Sequence, residues 1–262
     1  MNVKQRLRDL GVRPVDGQNF LVDENVVDAL VAAGEVEDQH VIEIGGGTGA
    51  VTEKLVGKAG SVTVVEKDTT LAEHLKEEFS GSATVLNKDF LETDIEADRC
   101  VSNLPFQITS KALEKLGKQQ IQSALIVQKQ LAEKAVADPG ESNYGSFSVM
   151  VNYYFVPVKL RDISSSSFYP SPDVEASIIK LYPNKDRHGI EDEEEFFKIS
   201  RALFTHKRKK VRNAFVDARH ILDFEKDRAK EIRDDLPYSE KRVIQLNVKE
   251  ISEIADFIQQ NI

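Results

Sequence analysis

The stretch from Glu43 to Ala50 reads EIGGGTGA, a strand-like run that ends in Gly45, Gly47 and Gly49 and then enters a helix-like one. Glycines at such a junction let the backbone turn sharply and come close to whatever lies beyond the end of the strand. The surroundings impose the same constraint on a larger scale. Short apolar or β-branched runs at Gln39 to Ile44, Ser61 to Glu66, Ala83 to Leu86, Arg99 to Ser102 and Ser123 to Gln128 are mostly separated by amphipathic stretches. Strands alternating with helices predict the α/β class, with a parallel, doubly wound sheet.

After the fifth strand the sequence KQLAEKAVAD reads as helix, followed by turn-rich text at DPGESNYG and later at SSSSFYPSPD. VPVKLRDI and VEASIIKLYP, on either side of the second loop, read as strands added late to the sheet. Tyr153, Tyr154 and Phe155 read as core. Past Pro183 the text turns helical and rich in charge. The expected organisation is a main domain over 1–183, a linker near Asn184 to Gly189, and a small helical domain over 184–262.

Composition narrows the class further. With 262 residues, ordinary apolar and charged fractions and a net charge of −9, the chain reads as globular. Cys100 is the only cysteine and lies in an apolar run, so no disulfide and no cysteine-based metal site can form within one chain; it reads as buried strand filler. His206 has no second ligand at metal-binding spacing, and no metal is expected. The sequence contains no apolar run of membrane-spanning length, and MNVKQRLRDL lacks the apolar core of a signal peptide, so the cytoplasm is the expected location.

The glycine loop narrows the ligand. Gly45, Gly47 and Ala50 satisfy the dinucleotide pattern G-x-G-x-x-A, and Glu66 ends the next strand at a distance suited to ribose hydroxyls, so NAD and other adenosine ligands both enter. Two further acids order the choice. Glu43 precedes the first glycine by two residues, and Asp89 follows the third strand. After the fourth strand comes VSNLPFQITS, with Asn103, Leu104, Pro105 and Phe106 in succession at a position where α/β proteins carry catalytic loops.

The series E-x-G-x-G-x-G from Glu43 resembles the first motif of class I S-adenosylmethionine-dependent methyltransferases, whose domain is Rossmann-like, and Asn103-Leu104-Pro105-Phe106 resembles the motif of amino-methyltransferases acting on adenine. The chemistry suits those residue types. An exocyclic adenine amine has its lone pair delocalised into the ring, so attack requires the nitrogen to move toward tetrahedral geometry. The Asn103 oxygen and a carbonyl of the Leu104–Pro105 turn can accept its two hydrogens, proline fixes the turn, and Phe106 can stack on the extruded base.

Over nearly its full length the chain resembles the small-subunit rRNA adenine N6,N6-dimethyltransferase family. The matches are GQNFLVD, EIGGGTGAVTEKL, VVEKD, NKDFL, NLPFQITS, NYGSFSVMV, FYPSPDVEAS and the region around HKRKKVRNAF. Gln107 and the lysine-rich HKRKKVR are more similar to its archaeal and eukaryotic branch. Phe106 stands where many members carry Tyr, and Asn19 where others often have His. The resemblance implies S-adenosylmethionine as cofactor, with Asn19 and Leu21 in contact with it, Gly45 at its methionine end beside Gly47, Glu66 on the ribose, Asp89 on the adenine, and Asn103 joining cofactor to target base. Phe168 would be the second aromatic at the target pocket; Ser164 to Ser167 reads as a mobile loop, and its position just before Phe168 points to a flap beside that pocket. The implied substrate is a pair of adjacent adenosines near the 3′ end of small-subunit rRNA, in an immature subunit, with the enzyme acting as a monomer. The alternatives are a large-subunit rRNA adenine methyltransferase of the antibiotic-resistance type, a non-catalytic ribosome-assembly factor on the same fold and, more distantly, an NAD-dependent oxidoreductase.

Glu191 to Arg212 reads EDEEEFFKISRALFTHKRKKVR, acids first and basic residues last, an order that suits one helix and its dipole. So dense a cluster as Lys207, Arg208, Lys209, Lys210 and Arg212 is expected to meet RNA phosphates as well.

Overall fold

The computed structural model describes residues 3–15, 17–186 and 190–261; residues 187–189, part of the expected linker, lie outside them. In chain order its first elements are α1 (Val3–Asp9), β1 (Phe20–Leu21), α2 (Glu24–Gly34), β2 (His40–Ile44), α3 (Ala50–Val56), β3 (Ser61–Glu66), α4 (Thr69–Glu78) and β4 (Thr84–Asn87). There follow β5 (Arg99–Asn103), α5 (Thr109–Lys118), β6 (Gln122–Gln128), α6 (Lys129–Ala135), α7 (Ser146–Tyr154), β7 (Phe155–Ile163), β8 (Phe168–Tyr169) and β9 (Ala176–Pro183). The last helices are α8 (Glu193–Phe204), α9 (Val211–Ala218), α10 (Lys226–Ile232) and α11 (Val248–Gln259).

Seven strands form one sheet in the order β4-β3-β2-β5-β6-β9-β7. The five strands from β2 to β6 run parallel, as the alternation with helices predicts. β9 is antiparallel to both β6 and β7, so the sheet is mixed rather than wholly parallel. The reason lies in the connection: a short loop joins β7 to the β8–β9 region with no crossover helix, and only antiparallel neighbours can be joined that way. β6 is apolar from Ala124 to Val127 and buried from Ser123 to Val127, as a strand covered on both faces must be. Cys100 is a fully buried member of β5.

Helix starts follow the local chemistry. Asp23 caps α2 by accepting from the Asn25 N–H, and Asp68 caps α4 by accepting from the Leu71 N–H. α2 then buries Val26, Val27, Leu30 and Val31 in a core that also holds Val101, Ile126 and Ile178 of the sheet.

The described chain divides into two compact units, one of residues up to 132 together with 155–183, the other of 133–154 with 184 onward. The boundary expected at residue 183 therefore misses a segment: 133–154 belongs with the helices. Within that second unit Tyr153 and Tyr154 are buried among Phe196 and Phe197, and their hydroxyls donate to the two carboxylate oxygens of Glu193 at 2.9 and 2.7 Å. Tyr144 donates to the Leu246 carbonyl at 2.8 Å and meets Phe204 edge-on. Aromatic burial, invisible in local pattern, assigns the segment.

The helix expected to run to Arg212 is two helices. α8 starts on its Asp192 cap and ends at Phe204, a turn occupies 205–210, and α9 starts at Val211. Thr205 Oγ1 bonds back to the Ala202 carbonyl at the break, and backbone pairing between Lys210 and Arg242 holds the turn extended where α9 begins.

Candidate active site

The parallel strands β2, β3 and β5 bring their C-terminal ends to one edge of the sheet, where ligands of open α/β folds bind. A cleft there, open to solvent, is lined by Asn19, Leu21, Gly45, Gly47, Glu66 and Asn103 together with Leu104, Pro105 and Phe106. Thr48 and Phe20 line it too and were not singled out by the sequence. Gly45 and Gly47 have φ of 76° and 55°, in the left-handed region that favours glycine. A Cβ at Gly47 would stand 3.2 Å from the Phe20 ring, so the loop is also packed too closely to accept a side chain easily.

Glu66 is 7% exposed. One carboxylate oxygen accepts from the Gly47 N–H at 2.9 Å and the other from the Asp68 N–H at 2.8 Å. Burial pushes its carboxyl above the usual range, opposed by those two N–H groups. Each oxygen keeps a lone pair for a ligand hydroxyl. Glu43 also lines the cleft but is almost wholly buried, its Oε2 accepting from the Thr52 hydroxyl at 2.6 Å. Burial raises its pKa to about 8, with the nearby Glu66 charge a smaller contribution.

Asn103 ends β5. Its Nδ2 donates to the Asn19 carbonyl at 3.0 Å, which fixes the amide and leaves Oδ1 as an acceptor without a partner among the described residues. Leu104 is buried and donates its N–H to the Ile126 carbonyl, while its own carbonyl accepts nothing among the described residues. Phe106 is partly exposed and lines both this cleft and a second one. Gln128 and the segment Pro170–Ser171–Pro172 line that second cleft; FYPSPD carried the signal for the segment, whereas nothing in the sequence pointed to Gln128.

Two expected site residues lie elsewhere. Asp89 is not in the cleft lining: its Oδ1 accepts from the Leu91 N–H, and its Oδ2 pairs with Lys67 at 2.8 Å. The Lys67 bond, then the Leu91 N–H, hold its carboxyl below the ordinary aspartate value. Phe168 is 3% exposed, because β8 pairs antiparallel with β1, Leu21 opposite Phe168, and this turns the ring into the core. Ser164 caps the short turn over Ser165–Ser167, and Ser167 donates to Asp23, so the segment is tied down.

In the second unit the basic residues are largely satisfied internally. Lys207 donates to the Ser142 and Tyr144 carbonyls, Lys209 pairs with Asp217, Lys210 with Glu240, and Arg212 with Asp234 and Glu240. Among the described residues only Arg208 of the five offers an exposed side chain with no partner. No group of acids, histidines or cysteines able to hold a metal is found among them, and no helix is long and apolar enough to cross a membrane.

A family model described as ribosomal RNA adenine dimethylase matches residues 11–256. The chain belongs to the ribosomal RNA adenine dimethylase family. It is an rRNA adenine dimethyltransferase on the class I methyltransferase fold. Relatives of this dimethylase include proteins described as probable ribosomal RNA small subunit methyltransferase A. The one from Methanopyrus kandleri is 35% identical, covering 95% of this chain and 94% of that protein. The one from Thermococcus onnurineus is 36% identical, covering 94% and 92%. Among solved structures, a dimethyladenosine transferase from Plasmodium falciparum has a TM-score of 0.80 at 24% identity, covering 92% of this chain and 98% of that one. The 23S rRNA methyltransferase ErmE has a TM-score of 0.66 at 22% identity, covering 92% and 100%. The dimethylase thus shares its fold with both.

Proposed function

We propose that this dimethylase transfers methyl groups from S-adenosylmethionine to N6 of two adjacent adenosines near the 3′ end of small-subunit rRNA, each dimethylated, acting as a cytoplasmic monomer on an immature subunit. The observation that carries the chemistry is the pair of acceptors left without a partner among the described residues, Asn103 Oδ1 and the Leu104 carbonyl, at the cleft wall. Bare glycines and a buried carboxylate with lone pairs to spare suit an adenosine cofactor, so the residues present fit the group. Asn19, Leu21, Gly45, Gly47 and Glu66 would hold it, Glu66 on the ribose hydroxyls. Asp89 would take the adenine amine only by a rearrangement of its Lys67 pair.

S-adenosylmethionine, when bound, supplies an electrophilic methyl on a sulfonium. Asn103 and Leu104 orient the amine by accepting its two hydrogens, which draws the nitrogen toward tetrahedral geometry and takes its lone pair out of conjugation with the ring. Pro105 fixes the angle between those acceptors. Phe106 stacks on the base, about 1–3 kcal/mol toward the cost of unstacking it. No strong base is required, because the nitrogen becomes acidic as it gains the methyl. Arg208 would contact phosphate directly, and Lys207, Lys209, Lys210 and Arg212 on exchange of their internal partners.

The relatives named for the small subunit, at 35–36% identity over most of the chain, favour that substrate over the large subunit. The test is to incubate the protein with labelled S-adenosylmethionine and immature small subunits, digest the RNA and identify the nucleoside. N6,N6-dimethyladenosine at adjacent positions is expected. Label on other nucleosides only, or none, would overturn the reading.

A further inference from the structure

Three hydrogen bonds pin the glycine loop, at its 46–47 and 48–49 peptides. The Gly47 N–H donates to Glu66, the Gly49 N–H donates to the Gly46 carbonyl, and the Thr48 carbonyl accepts from Arg6 at 2.8 Å. The first two pins belong to the strand, loop and strand that build the cleft. The third comes from α1, 42 positions upstream. The same Arg6 Nη1 donates to Glu78 Oε2 at 2.7 Å, so the guanidinium bridges the C-terminal end of α4 to the loop. Its side chain is only 23% exposed.

α1 is held there by burial as well. Val3 and Leu7 pack with Leu71 of α4 and with Phe20, and the Phe20 ring is the group that stands beneath Gly47. α1 therefore reaches the loop by two routes, a charged hydrogen bond to the 48–49 peptide and an aromatic contact under Gly47. With Gly47 and Gly49 at positive φ, and glycine free to leave that region, the loop's conformation depends on such pins. Thr48, whose carbonyl Arg6 holds, lines the cleft itself.

We propose that α1 is a working part of the cofactor cleft and that Arg6 is a positioning residue, setting the glycine loop in the form that takes the cofactor. This rests on the reading of the cleft as an S-adenosylmethionine site. A helix that orders the loop and a ligand that requires it ordered stabilise each other reciprocally. Cofactor binding therefore tightens the docking of α1, and a loss of Arg6 falls on cofactor affinity and its KM rather than on kcat.

Calorimetric titration with S-adenosylmethionine of the parent, Arg6→Ala, Arg6→Lys and Glu78→Gln, beside hydrogen exchange of the α1 amides, tests it. Arg6→Ala should bind roughly five- to twentyfold more weakly, in the range of ordinary coupling between sites. Arg6→Lys, whose ammonium can donate to both acceptors, should recover most of the loss. Cofactor should slow exchange in α1 of the parent and do so less in Arg6→Ala. A parent that takes up no S-adenosylmethionine overturns the cofactor reading and this inference together. A parent that binds, beside a folded Arg6→Ala of equal affinity and equal α1 protection, overturns the inference alone. If Arg6→Ala does not fold, Glu78→Gln, which removes the charge that anchors Arg6, is read the same way, and equal affinity there is equally decisive.

Discussion

The side-chain amide of Asn103 is tied to the backbone carbonyl of Asn19, 84 positions earlier in the chain, through a 3.0 Å hydrogen bond from Nδ2. That bond selects one of the two amide orientations, the one that leaves Oδ1 without a partner among the described residues, and joins the end of β5 to the segment that enters β1. Replacing Asn103 by Ala should lower single-turnover methyl transfer by about a hundredfold or more, as removal of a preorganised polar group from a reacting centre does, with RNA affinity nearly kept. Near-parent turnover in the variant would remove Asn103 from the chemistry.

Glu66→Ala should weaken S-adenosylmethionine binding by roughly 1.5–3 kcal/mol, the range for hydrogen bonds to a charged group. Titration calorimetry on the folded variant reads it directly. Unchanged affinity would show that the ribose is held by other groups.

Glu43 gives a pH signature. Its folded pKa of about 8 stands above the ordinary glutamate value of 4.5, so the folded state binds a proton that the unfolded chain has released. The stability contributed by protonated Glu43 is complete below about pH 4.5 and is lost as pH rises toward about 8. Glu43→Gln should flatten the decline in Tm across that window. Parallel Tm profiles for parent and variant would place the titration elsewhere.

Phe106 and Phe168 should separate cleanly. Phe168→Ala should cost about 3–5 kcal/mol of stability in chemical denaturation, as core aromatics do. Phe106→Leu should leave stability closer to the parent and raise the KM for RNA, whereas Phe106→Tyr should be tolerated. A Phe168→Leu variant with parent stability and impaired base capture would return that ring to the target pocket.

Arg208→Gln should reduce the slope of log affinity for immature subunits against log salt by about 0.7 to 0.9, the loss of one phosphate contact. Lys209→Gln and Lys210→Gln should each change the slope less, since both lysines must first leave Asp217 and Glu240. Equal slopes for parent and Arg208→Gln would move the RNA surface away from this turn.

The parallel part of the sheet was legible because each buried strand writes its own apolar run, and all five runs end within one residue of the strand they become. The glycine loop and Asn103 to Phe106 were legible for a related reason: contiguous residues there meet one ligand. β1 and β8 were not, since two-residue strands have no periodicity and exist only through each other. The antiparallel insertion of β9 depends on a partner choice that no local pattern encodes. Lys210 and Glu240 lie 30 positions apart, so the text HKRKKVR displays positive charge that the folded chain has already matched with acids. Phe168, in a serine- and proline-rich loop, reads as an aromatic of the target pocket until its cross-strand partner is known.

The passage of the chain out of the first unit at residue 132 and back at 155 has a consequence for synthesis. Tyr153 and Tyr154 emerge about forty residues ahead of Phe196 and Phe197, a delay of roughly 2–8 s at ~5–20 residues per second. For that interval α7 holds an aromatic face with nothing to cover it, while the strands on both sides of it are already free to join the sheet. The first unit can close before its insert is finished, and the second is completed only once the residues from 184 onward have emerged. Nascent chains arrested just before Glu193 should therefore be the ones that chaperones and proteases seize.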